Sequence, residues 1–84
     1  MTRDEIKAAI LDALGEIAPE ADPKTIRPDV PLREQLDIDS FDFLNLLVRV
    51  HEALGVEIPE SDYAKLATLD AFVAYVAAKK AVAA

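Results

Sequence analysis

The chain has 84 residues, 52% of them hydrophobic, enough for one small core and a single domain over 1–84. It has no cysteine, which excludes a disulfide framework, a thiolate metal site and a cysteine nucleophile. Sixteen acids against nine bases give a net charge of −7, which disfavours nucleic acid and anionic lipid as partners. The excess is local: Asp29 to Asp62 holds nine acids and two bases, Arg33 and Arg49, while the flanks balance. Such a field speeds encounter with basic partner surfaces, and it also serves solubility. There is no long uncharged apolar run, so no membrane span is expected. The opening Met1-Thr2-Arg3-Asp4-Glu5 carries acids and does not resemble a targeting peptide, so a soluble cytoplasmic protein is expected.

In chain order, Thr2-Arg3-Asp4-Glu5 fits a capping box that starts a helix. Ile6, Ala9, Ile10, Ala13, Leu14 and Ile17 then recur at helical spacing, and Ala18-Pro19 closes the element. Pro19, Pro23, Pro28 and Pro31 punctuate the next stretch, up to Asp39, which has little periodicity. A loop of roughly twenty residues is unusual in a small domain and points to function or hidden local structure. Ile26, Val30, Leu32 and Leu36 are spaced to pin it to a core, and Pro31 to Leu36 can form a single helical turn.

A second helix is predicted from Ser40 to Leu54, with Asp39 as N-cap, Asp42 completing a partial capping box, and Gly55 as its stop. At roughly 100° per residue, Asp42, Asn45, Arg49 and Glu52 form one polar strip. Phe43, Leu46, Leu47, Val50, Ala53 and Leu54 are expected to fill the core. Phe41, Leu44 and Val48 form a second apolar stripe, serving either as a partner surface or as packing under the long loop. Pro59 is expected at the first position of a short helix through Tyr63 to Leu66. Thr68 caps a last helix with Leu69, Phe72, Val73 and Val76 as its stripe and Lys79 and Lys80 near its end, and Ala81 to Ala84 are expected to fray. The architecture predicted is an all-α bundle with three main helices, one short one and a long first loop.

Catalysis is poorly provided for, and the chain reads as no enzyme. His51, the single histidine, is expected on the surface without a titratable partner, and Ser40 has no evident base or orienting acid. Asp37, Asp39 and Asp42 lack the glycine and distal glutamate of a calcium loop, so no stable metal site is expected. Tyr63 and Tyr75 are expected at the edge of the core. Taken alone, Asp39-Ser40 is a helix start.

The run Leu36-Asp37-Ile38-Asp39-Ser40-Phe41-Asp42, however, resembles the phosphopantetheine attachment site of the acyl carrier protein family. The likeness continues through Val50-His51-Glu52-Ala53-Leu54-Gly55-Val56-Glu57-Ile58-Pro59 and Lys65-Leu66-Ala67-Thr68-Leu69-Asp70, almost the whole chain. The resemblance implies an acyl-carrier-like four-helix bundle. It also implies that Ser40 accepts 4′-phosphopantetheine from coenzyme A through a phosphopantetheinyl transferase, with Mg2+ needed only transiently. Asp39 and Asp42 match the acids beside that serine. Phe41, Leu44 and Val48 match apolar positions touched by partner enzymes, so the second stripe gains a role. In this family the arm's thiol carries acyl groups as thioesters, and the helices can part to shelter the chain.

Three departures stand out. Asp37 replaces a common glycine, so the turn into the site is expected to manage without glycine's freedom at positive φ. Phe41 replaces the usual leucine, and Phe43 stands where a smaller residue is common and is expected to narrow or reshape an acyl pocket. Asn45, Arg49 and His51 occupy much of a face that is acidic in fatty-acid carriers, leaving Asp42 and Glu52. The expectation is a specialised, monomeric carrier for fatty-acid, lipid or polyketide-type biosynthesis, meeting loading and transferring enzymes with basic patches. Its partner face is expected to comprise Asp37, Phe41, Leu44, Asn45, Val48, Arg49, His51 and Glu52. The alternatives are a peptidyl or aminoacyl carrier and an unmodified helical interaction module.

Overall fold

The computed structural model describes residues 2–83, with side-chain surroundings through Lys80; the fraying expected over Ala81–Ala84 lies outside those side chains. Four α-helices run in the order α1 (Arg3–Ile17), α2 (Leu32–Gln35), α3 (Ser40–Leu54) and α4 (Leu69–Ala83). Two 3-10 pieces, Pro23–Thr25 and Glu60–Leu66, interrupt the connections. The three long helices, the short Glu60–Leu66 helix and the long first loop match the all-α bundle expected. Among the described residues no helix is long and apolar enough to cross a membrane.

The ends are local chemistry. At α1 the Thr2 hydroxyl accepts from the Glu5 amide at 3.2 Å, and the Glu5 carboxylate accepts from the Thr2 amide at 2.9 Å. The α4 start uses Thr68, whose hydroxyl accepts from the Ala71 amide at 3.0 Å. α3 stops at Gly55, held at φ 67°, with its N–H donating to the His51 carbonyl at 2.8 Å.

Ile6, Ile10, Ala13 and Leu14 of α1 meet Leu46, Leu47, Val50 and Leu54 of α3 and Leu69, Phe72, Val73 and Val76 of α4 in one core. Two residues of the predicted α3 core face differ. Ala53 is exposed, because it lies on the open seam beside Ala9 and Ala13, where short side chains leave the helices uncovered. Phe43 is only partly buried and reaches the edge of the core. Pro59 is the residue before the short helix and not its first, and that helix is 3-10 from Glu60 to Leu66.

The long loop is strapped down. Leu32 is fully buried, and its N–H donates to the Ala67 carbonyl at 2.8 Å, while the Asp70 N–H donates to Pro28 at 3.0 Å. The Gln35 side chain receives the Arg27 amide at 2.7 Å and donates to the carbonyls of Arg27 and Val30 at 2.7 and 2.9 Å. Ile26 and Leu36 pack on the core as expected; Val30 is half-buried.

The Glu60–Leu66 helix is latched to α4 by Tyr75, whose hydroxyl donates to the Asp62 carboxylate at 2.6 Å. Lys65 Nζ lies 3.2 Å from the same carboxylate, and Lys79 Nζ lies 5.4 Å from the Tyr75 ring centroid. The Tyr75 hydrogen bond, helped by Lys65, lowers the Asp62 pKa. Burial, then the Asp62 carboxylate, pushes Tyr75 up to about 12. A raised tyrosine pKa stabilises the fold below its unfolded value and ceases to do so as pH climbs through the folded one. Wild-type stability should therefore drop between pH 10.0 and about 12 in denaturant titrations, and Tyr75→Phe should flatten that drop. At the C-terminal end of α3, a Cβ on Gly55 would meet nothing within 4 Å, so Gly55→Ala carries only the left-handed strain. It should lower unfolding free energy by about 1–2 kcal/mol in urea titrations.

Candidate functional site

Asp39 sits before α3 in extended geometry, and its carboxylate accepts from the Asp42 amide at 2.8 Å. Asp42 returns the contact, accepting from the Asp39 amide at 3.3 Å, so the capping box is complete. Acids at this end also oppose the positive pole of the helix. Ser40, the first helical residue, is exposed, and among the described residues its hydroxyl takes no part in the cap. A serine at a helix start usually caps; here the neighbouring aspartate does so and leaves a free, primary hydroxyl in solvent.

Asp37 is exposed, and no described residue other than Gly55 has positive φ, so the turn into the site needs no glycine there. The geometric difficulty expected of this substitution does not arise. Among the described residues no cluster of acids and histidine converges on a cation site.

The second stripe of α3 faces outward: Phe41 is 71% exposed, Leu44 42% and Val48 46%. It does not pack under the long loop. Asn45 and Glu52 are exposed beside it. Arg49 and His51 are less free than the sequence suggests. The Arg49 guanidinium is paired with Glu16 of α1. His51 Nδ1 lies 2.8 Å from the Val56 carbonyl, which ties the imidazole to the turn after α3.

Ser40 opens onto a groove of about 420 Å³ that also touches Arg33, Phe43, Leu44, Tyr63 and Ala67. The groove is walled by α3 on one side and by the Glu60–Leu66 helix on the other. Tyr63, expected as core edge, and Arg33, given no role by its sequence context, are among the lining residues not expected at the site. Neither lies near Ser40 along a shared helix, so no periodicity could place them there.

Residues 4–76 match the family model of the phosphopantetheine attachment site. The chain belongs to the acyl carrier protein family. It is 35% identical over 80 residues to an acyl carrier protein of Rubrobacter xylanophilus, covering 90% of this chain and 93% of that one. To an acyl carrier protein of Lactobacillus johnsonii it is 36% identical over 76 residues, covering 90% and 94%. To the meromycolate extension acyl carrier protein of Mycobacterium tuberculosis it is 34% identical over 76 residues; the alignment covers 90% of this chain but only 65% of that relative. The fold is that of the Enterococcus faecalis acyl carrier protein, with a TM-score of 0.74 at 21% identity over 94% of this chain and 99% of that one. The acyl-carrier reading of the sequence therefore stands at the level of family and fold.

Because Asp39 and not Ser40 caps the amide of Asp42, Asp39→Ala should cost about 0.5–2 kcal/mol in chemical unfolding. Asp39→Asn, which keeps a side-chain acceptor, should cost less, and Ser40→Ala should fall within about 0.5 kcal/mol of wild type.

Proposed function

We propose that Ser40 carries 4′-phosphopantetheine and that the protein presents acyl groups on it, as thioesters, to enzymes of fatty-acid, lipid or polyketide-type biosynthesis. The observation that carries this is the exposed Ser40 hydroxyl, left out of a cap that Asp39 and Asp42 complete between themselves. A transferase can reach such an oxygen without unwinding the helix. The residues present fit the group: a solvent-facing nucleophile, a neighbouring groove with apolar walls, and no competing cysteine.

When attached, the arm supplies the thiol that holds the cargo, and Mg2+ is needed only by the transferase. The protein's own part is to hold Ser40 still and to offer a docking face. Phe41, Leu44 and Val48 form the apolar centre of that face, with Asp37, Asp42, Asn45 and Glu52 around it. The acids draw in enzymes with basic patches, and the apolar stripe supplies contact once they arrive. Arg49, held by Glu16, and His51, held by Val56, lie on the far part of this face as fixed features that favour a dedicated partner set. The three relatives named above are acyl carriers, which supports acyl over aminoacyl or peptidyl cargo.

The test is intact mass after incubation with coenzyme A, Mg2+ and a broad-specificity phosphopantetheinyl transferase. Wild type should gain one phosphopantetheine and Ser40→Ala none. An unmodified wild type, or an adduct that survives Ser40→Ala, would overturn the reading.

A further inference from the structure

The groove beside Ser40 contains one full positive charge, and it belongs to Arg33. Within the segment that carries the chain's whole negative excess, Arg33 and Arg49 are the two bases. Arg49 is paired with Glu16 across to α1. Among the described residues the other ion pair is Lys65 with Asp62, so Arg33 faces the groove without a carboxylate partner.

Its position is built, not incidental. Arg33 stands on α2, whose first residue, Leu32, is fully buried and bonded through its N–H to Ala67 at 2.8 Å. The last residue of the same turn, Gln35, makes three hydrogen bonds to the backbone of Arg27 and Val30. The backbone under Arg33 is thus clamped on both sides, and its exposed side chain starts from a fixed point at the groove.

A phosphodiester on the Ser40 oxygen would place a permanent anion among Asp37, Asp39 and Asp42. The helix start offers it reduced help, because the amides of Asp39 and Asp42 are already taken by each other's carboxylates. An arginine is suited to such an anion: its planar fork of donors matches phosphate oxygens, and it is always charged. The apolar walls of Phe43, Leu44 and Tyr63 continue the groove beyond it.

We propose that Arg33 is the counter-ion of the Ser40 phosphodiester and a positioning residue that holds the start of the arm over the Phe43–Tyr63 groove. This rests on the attachment of phosphopantetheine at Ser40 proposed above. Exposed pairs of this kind are modest, so Arg33 biases the arm between a groove-bound and a free population and does not lock it.

The experiment uses holo wild type, Arg33→Gln and Arg33→Lys, each shown by intact mass to carry one arm. Phosphorus NMR reads the diester, and nuclear Overhauser contacts read arm protons against the Phe43 and Tyr63 rings, at low and high salt. Wild type should show contacts that weaken with salt. Arg33→Gln should lose roughly two- to fivefold in contact intensity together with most of its salt dependence, and Arg33→Lys should recover part. A wild type without arm contacts, or Arg33→Gln contacts and phosphorus shift equal to wild type, would overturn the role of Arg33 while leaving Ser40 loading intact. A wild type that accepts no arm would bring down both readings.

Discussion

A connection of some twenty residues in so small a domain has to be held by something, since its backbone groups find no ladder of their own. The bond from the Leu32 N–H to the Ala67 carbonyl is central to this, with the Leu32 side chain sealed in the core beneath it and the Asp70–Pro28 and Gln35 bonds on either side. It joins the loop to the corner where the Glu60–Leu66 helix hands over to α4. Three things depend on that joint. α2 acquires a fixed place, Leu36 and Ile38 are directed inward just before the site, and α3 starts at a defined height against the opposite wall. Were it to open, Pro31 and Arg33 would lose their fixed place in the lining of the groove beside Ser40.

The site itself is built by division of labour between neighbouring residues. Helix starts need side-chain acceptors, and the residue at the cap cannot also be freely available. Asp39 and Asp42 satisfy each other's amides, so Ser40 owes the helix nothing. The same reciprocity withdraws two amides from any anion placed on Ser40. A device that frees the hydroxyl therefore makes a nearby cation useful, which gives the isolated Arg33 in an acidic segment a physical context.

What could be read from the sequence follows the range of each interaction. Thr2 with Glu5, Asp39 with Asp42, Thr68 before α4 and Gly55 after α3 all act within four residues, and each is legible in order along the chain. The stripe of Phe41, Leu44 and Val48 is legible as distinct from the core face by periodicity, but its outward position is not, since spacing equally allows packing under the long loop. Ala53 is misread because its exposure is set by the short side chains of α1 opposite it, which α3 does not encode. Tyr63, Arg33 and the Arg49–Glu16 pair are long-range meetings between elements, invisible to spacing. The family resemblance supplies the fold and the serine, but these local choices belong to this chain.

The wall of the groove opposite α3 has an asymmetric support. The Glu60–Leu66 helix is 3-10, with weaker hydrogen-bond geometry than an α-helix, and it packs chiefly on α4. Its polar attachment is the Asp62–Tyr75 bond, reinforced by Lys65. Tyr63 follows Asp62 directly and so takes its position from that latch while lining the groove. Leu66, at the end of the same helix, is fully buried in the core, so this wall is held at one point by the Asp62–Tyr75 hydrogen bond and at another by a core side chain.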